Sequence, residues 1–247
     1  MRSILAVIMV LASSVKVDAT SVVLFWTPTT IFMGADSKAV RDDGTVVTVC
    51  KIGAANDTYW AMSGILEWPA SNFSADKVAL DNMSTPLTLK SRLERFESAV
   101  KPELLTVLNA VRSERPLDFR NAYQNDPALE VAFADFEDGI PRAYVRYFVT
   151  RVDLTRDSVY LDPTRIDFPN REVSRSGFAA LGRHEAIDAL RAANPSFLEA
   201  PDVLGTIRRL IEIEIAAVPT EVGPPIALVE IDKEGAHWKS KGACGAN

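Results

Sequence analysis

The chain has little of the material from which metal centres and disulfide scaffolds are built. Its 247 residues include two cysteines, Cys50 and Cys244, and two histidines, His184 and His237. Four such residues, so far apart in sequence, exclude a Cys/His zinc cluster and a cysteine-stapled mini-fold, and no cofactor or metal is expected. The sequence also lacks a basic excess. Its 27 Lys and Arg stand against 33 Asp and Glu, a net charge of -6, so the electrostatic footprint of a nucleic-acid binder is missing. Beyond the N-terminus no apolar run is long enough to cross a bilayer. There is no low-complexity tract, internal repeat or linker, and 47% hydrophobic residues suit one sizeable domain.

What is there begins with an N-terminal targeting pattern. Arg2 supplies a positive start and Ile4 to Ala12 a short apolar stretch. Val17-Asp18-Ala19 then places small residues at the positions before a cut. This predicts a signal peptide over 1–19, export to a periplasm or the exterior, and no membrane contact afterwards. The mature chain, 20–247, would have 247 minus 19, or 228, residues and start at Thr20. A cut after Ser14 competes with this one. Export permits a disulfide. Cys50 and Cys244 would pair if the small-residue tail returns to the third strand; two free thiols are the other reading.

Residues 20–26 and 30–36 are apolar and β-branched, with Thr27-Pro28-Thr29 between them. Proline favours a turn there. A hairpin centred on Pro28 pairs residues whose numbers sum to 56, setting Thr20 opposite Asp36 on one side of the ladder. Thr45 to Ile52 reads as a third strand and Tyr59 to Met62 as a fourth, ending at Ser63-Gly64. A helix capped by Ser74 or Asp76 runs to Met83. A longer helical pattern, starting at Pro86, carries Leu89, Leu93, Phe96 and Val100, with Pro102 as a kink or break and Pro116 as an end. Strands resume at Leu129, turn at Asp138-Gly139, and return over Ala143 to Val152. A short strand is expected at Val159 to Leu161, and residues 162–175 read mainly as loop. A strand from Phe178 to Leu181, helices over 184–193 and 201–217, and a final hairpin from Ile226 to Lys239 complete the chain. Runs of strands, then helices, then strands again indicate an α+β fold.

In this order the chain resembles proteasome β-type subunits and their bacterial relatives among the N-terminal-nucleophile hydrolases. The matching stretches are Thr20 after a removable segment, Gly34-Ala35-Asp36-Ser37-Lys38, Lys51-Ile52, Tyr59 through Gly64, and Gly223 through Gly235. The interval from Thr20 to Asp36 equals the family's, and Lys51 is one residue closer. The resemblance implies a four-layer αββα sandwich of two antiparallel sheets flanked by helices. It also implies hydrolysis of amide bonds in a peptide or small amide substrate, with assembly into a homo-oligomer as a possibility. In the implied site Thr20 is the nucleophile. Its freed α-amino group, with a pKa near 8, acts as base. Lys51 supplies positive charge, Asp36 orients Lys51, and the backbone N–H of Gly64 serves the oxyanion.

Two places depart from the family. A serine is expected after the glycine that precedes the third helix, where this chain has Gly182-Arg183. An Asp and a Ser are expected near the end of the last helix, where it has Pro219-Thr220-Glu221-Val222. A catalytically inactive binding or assembly protein is therefore the second reading. His184 reads as a helix-start residue, His237 as part of an exposed hairpin, and Glu67 and Trp68 as solvated loop.

Overall fold

A computed structural model describes residues 16–18, 20–40, 44–169, 176–199 and 201–245. Most of the expected signal peptide, residues 1–15 and 19, lies outside the described residues. Of the remainder, Lys16–Asp18 is a short strand, β1. The elements that follow are β2 (Ser21–Trp26), β3 (Ile31–Ala35), β4 (Lys38–Val40), β5 (Val46–Thr48), β6 (Ile52–Ala55), β7 (Thr58–Trp68) and β8 (Phe73–Ser74). Three helices come next: α1 (Ala75–Met83), α2 (Leu89–Glu114) and α3 (Pro116–Ala122). Then come β9 (Pro127–Glu137), β10 (Ile140–Asp153), β11 (Ser158–Phe168), β12 (Gly177–Gly182), α4 (Glu185–Ala193) and α5 (Val203–Ala217). The last two are β13 (Ala227–Asp232) and β14 (Gly235–Ser240).

The strands form a seven-stranded sheet along β1-β7-β9-β10-β11, with β6 and β8 also on β7. A five-stranded sheet runs β12-β2-β3-β13-β14, and β4-β5 is a separate two-stranded sheet. All pairings are antiparallel. Three apolar clusters hold these parts together. One joins α1, α2 and α3 to the seven-stranded sheet, where Phe96 meets Phe133 edge-on at 5.1 Å. Another lies between the two large sheets and includes Leu24, Met33, Ala132, Val145 and Val229. The third seats Ile187, Ile207, Leu210 and Ile211 of α4 and α5 on Val23 and Leu228. Burying aliphatic side chains of this size contributes about 1.5–3 kcal/mol each.

The α+β class is consistent with this arrangement. The four-layer αββα sandwich of two sheets is not: among the described residues there are three antiparallel sheets and five α-helices. The third sheet arises because the expected strand over 45–52 breaks. Val46–Thr48 pairs with Lys38–Val40, while Ile52–Ala55 joins β7. Residues 49–51 cross between the two and belong to neither strand.

Four further expectations change. The first hairpin pairs residues summing to 57, with Val22 opposite Ala35 and Trp26 opposite Ile31. The turn is centred between Pro28 and Thr29 because the Thr27 hydroxyl accepts from the N–H groups of Thr29 and Thr30. Thr20 therefore does not face Asp36. Pro102 does not divide the long helix, which starts at Leu89 after a Thr88 cap and runs unbroken to Glu114. Pro102 and Ser98 are exposed, so water can serve the Ser98 carbonyl that the proline leaves without an N–H partner. Strand β11 extends to Phe168 through Pro163, which an edge strand tolerates because its missing N–H costs no ladder bond there. Finally, Glu67 and Trp68 are not in a loop. They end β7, which runs on past Gly64, and Trp68 is buried.

Candidate functional site

Thr20 sits at the crossing between the two large sheets. Before it, Asp18 pairs with Gly64 on β7; after it, Ser21 pairs with Gly182 on β12. Thr20 is wholly buried, and its carbonyl oxygen accepts the Arg183 N–H at 2.7 Å. Gly182 makes this close approach possible. Its φ is +74°, and a Cβ there would run into the Thr20 carbonyl, so only glycine fits.

Asp36 follows β3 and is also wholly buried. Its Oδ1 accepts from the Ser21 N–H and from Lys51 Nζ, each at 3.0 Å. Its Oδ2 accepts from the N–H groups of Lys38 and Gly223, each at 3.0 Å. The backbone delivers Lys51 to this carboxylate: Val49 N–H donates to the Ser37 carbonyl at 2.8 Å and so lays residues 49–51 beside the end of β3. With 3% of its side chain exposed, Lys51 forms a buried ion pair. A buried carboxylate needs such a cation and full hydrogen bonding to offset its lost hydration. Asp36 and Lys51 thus meet beside Thr20 by way of Ser21, rather than by the cross-strand pairing expected for Thr20 and Asp36.

Gly64 lines a different cavity from Lys51. It has a φ of +102° and lines a cavity of about 780 Å³ with Ser63, Glu130, Gly182 and Arg183. Lys51 borders a second cavity of about 210 Å³ with Val49, Cys50, Trp60 and Met62. Thr20 lines neither of them. The open question about the cysteines is answered here: Cys50 and Cys244 form a disulfide, which fastens the residue next to Lys51 to the C-terminal segment.

The two stretches that depart from the family pattern come together in space. Arg183 Nε donates to Glu221 Oε2 at 2.6 Å, and Arg183 also reaches Glu185. The hydrogen bond to Glu221 first, then the Glu221 and Glu185 charges, hold the Arg183 guanidinium above its ordinary pKa against the opposing effect of burial. His184 is the residue before α4, but its ring caps nothing. Its Nδ1 lies 2.8 Å from Asp188 Oδ2. His237 faces Asp232 on the final hairpin.

Reading the sequence did not single out Glu130. It sits within β9 and carries no motif, yet it accepts a hydrogen bond from the Gly182 N–H and is 7% exposed. Burial first, with the Glu185 charge adding to it, pushes its pKa up to about 7. The Gly182 N–H and the nearby His184 only partly offset that rise. The one sequence signal was a glutamate with apolar residues on both sides, Leu129 and Val131.

No protein-family model matches the sequence, and no curated protein matches it.

Proposed function

We propose that the chain is an exported threonine-type amidohydrolase or peptidase whose nucleophile is Thr20, freed by a cut between residues 19 and 20. The observation that carries this reading is the sharing of Asp36 Oδ1 by the Ser21 N–H and Lys51 Nζ. A buried ammonium is thereby held one residue from Thr20. After the cut, the threonine amine would take the hydroxyl proton, directly or through water, as Oγ attacks the amide carbonyl. The proton then passes to the leaving nitrogen as the C–N bond breaks, leaving an ester on Thr20. Water hydrolyses that ester and restores the hydroxyl. Lys51 stabilises the developing alkoxide, and Asp36 keeps Lys51 charged and oriented. Gly64 is the proposed oxyanion donor. The substrate class is a peptide or small amide; self-assembly is compatible with this reading and is not required by it.

A non-catalytic binding or assembly role is the second reading. It is favoured by Arg183, which stands where the family has a serine and is committed to Glu221. One experiment separates the two. Intact mass and N-terminal sequencing of the exported protein should give a chain starting at Thr20. A threonine-directed epoxyketone should then label wild type and leave Thr20→Ala unlabelled. Stable extra residues before Thr20, or a mature chain that resists labelling, would favour the non-catalytic reading.

A further inference from the structure

We propose that Glu130 is a positioning residue for Thr20, acting through the backbone of Gly182 and Arg183; this rests on the nucleophile reading above. Glu130 belongs to the seven-stranded sheet, where it pairs with Ser63 on β7 and Tyr147 on β10. Its carboxylate reaches across to the end of β12 in the other large sheet and accepts the Gly182 N–H. The next residue, Arg183, donates its N–H to the Thr20 carbonyl at 2.7 Å. Glu130, Gly182, Arg183 and Thr20 therefore form a continuous relay that ties the start of β2 to the opposite sheet. The relay has little slack, because Gly182 is held in the left-handed region and a Cβ there would strike both the Thr20 carbonyl and the Ser63 hydroxyl.

A carboxylate is an expensive choice for this place. Glu130 is almost fully buried, and burying a charge is unfavourable unless it is paired. On the connection to α4, Arg183 is already occupied by Glu221 and Glu185. Among the described residues, His184 before α4, Glu185 on α4 and Tyr147 on β10 act on or feel the Glu130 charge, and Tyr123, Asp126 and Glu221 line the same cavity. The Thr20 amine would join these ionisable groups after the cut. With its pKa pushed up to about 7, Glu130 changes charge near neutrality. An ionised carboxylate is the stronger acceptor, so it draws the Gly182 N–H in firmly above that pH. Below it, the neutral acid holds the relay loosely.

Two measurements on the mature protein test this. The rate of epoxyketone labelling of Thr20 should fall about 10–100-fold in Glu130→Gln, the scale expected when a reacting group is misplaced by a fraction of an ångström to an ångström. Glu130→Asp should recover part of it. The wild-type pH profile should show an inflection near 7 beneath that of the threonine amine, and Glu130→Gln should lose the lower inflection alone. An unchanged rate and profile in Glu130→Gln would overturn the proposal. If wild type is not labelled at all, the nucleophile reading fails, and amide hydrogen exchange still decides the relay. Protection factors at Gly182 and Arg183 should rise with pH through about 7 in wild type and stay level in Glu130→Gln. Level protection in wild type would also overturn the proposal.

Discussion

Asp36 and Asp135 are both buried aspartates paired with a cation, and they do different jobs. Asp135 lies on β9 and takes Thr58 Oγ1 from β7 and Arg92 from α2, each at 2.7 Å. Arg92 also donates to Thr58 Oγ1 and to the Met83 carbonyl at the end of α1. Side chains from one helix and two strands meet there and bond to one another, with the Met83 carbonyl of a second helix and the Phe136 N–H completing the set. Burial raises the Asp135 pKa, and the bonds from Thr58 and Arg92 only partly offset the rise. Asp36 instead gathers three backbone N–H groups, from Ser21, Lys38 and Gly223, and one ammonium. Ser21 and Lys38 begin β2 and β4, Gly223 lies between α5 and β13, Lys51 lies between β5 and β6, and Ser21 adjoins Thr20. A buried ion pair is thus not by itself the mark of a site. What distinguishes Asp36 is that its partners are mostly backbone groups, one of them the N–H of the residue after Thr20, the proposed nucleophile.

The sharpest way to break that comparison is to remove each cation in turn. Arg92→Met should lower the unfolding free energy by about 3–5 kcal/mol, the cost of leaving a buried charge unpaired. The folded fraction should still label at Thr20 at close to the wild-type rate. Lys51→Met should cost less in stability, about 1–3 kcal/mol, because three backbone donors still serve Asp36. Its labelling should fall by at least about 100-fold. Denaturant melts read beside labelling rates check both variants. Equal losses of reactivity in the two would erase the distinction.

The disulfide bears on the Asp36 side alone, since Cys50 adjoins Lys51. Replacing Cys50 and Cys244 by alanine together should lower stability by about 2–4 kcal/mol. Labelling should slow as well, which reduction of the wild-type protein should reproduce in the same assay.

The smallest effect depends on pH and comes from Glu130. Its folded pKa, about 7, lies above the ordinary 4.5. Between those values the folded chain keeps a proton that the unfolded chain has lost. This contribution is fully present below about 4.5 and disappears as pH rises through about 7, a span of at most about 3 kcal/mol. Glu97 works in the opposite sense: burial would raise its pKa, but hydrogen bonds and charges from Arg146 and Arg165 outweigh that and hold it low. The test is therefore the difference between wild type and Glu130→Gln across the range. The variant should gain relative stability from pH 5 to about 7 and level off above that, and a constant difference would show that Glu130 does not titrate there.

Local chemistry was readable where one residue type decides the outcome. Ser74 caps α1 through the Lys77 N–H, Asp138-Gly139 turns the β9–β10 hairpin with both residues at positive φ, and the apolar spacing of Leu93, Phe96 and Val100 marks the buried face of α2. Reading failed where a partner from elsewhere decides it. The edge position of β11 lets Pro163 stay in a strand, and exposure lets Pro102 stay in a helix. The hydroxyl of Thr27 moved the hairpin register by one. Of the residues gathered at the candidate site, Asp36 was singled out by its place in the first hairpin and Lys51 by the family resemblance. Their contact follows from a bond between Val49 and Ser37 that no periodicity announces.

By itself, the sequence determined the α+β order of elements, the scarcity of cysteine and histidine, and the excess of acidic over basic residues. These follow from side-chain type and near-neighbour spacing, whereas Lys51 and Gly64 were put beside Thr20 and Asp36 by the family resemblance. Only the tertiary structure decided that the strand over 45–52 divides, that Cys50 meets Cys244, that Arg183 is spent on Glu221, and that Glu130 reaches the backbone holding Thr20. Each of those depends on segments far apart in the chain arriving within a few ångströms. That distance is set by how the sheets and helices pack, and the order of residues does not carry it.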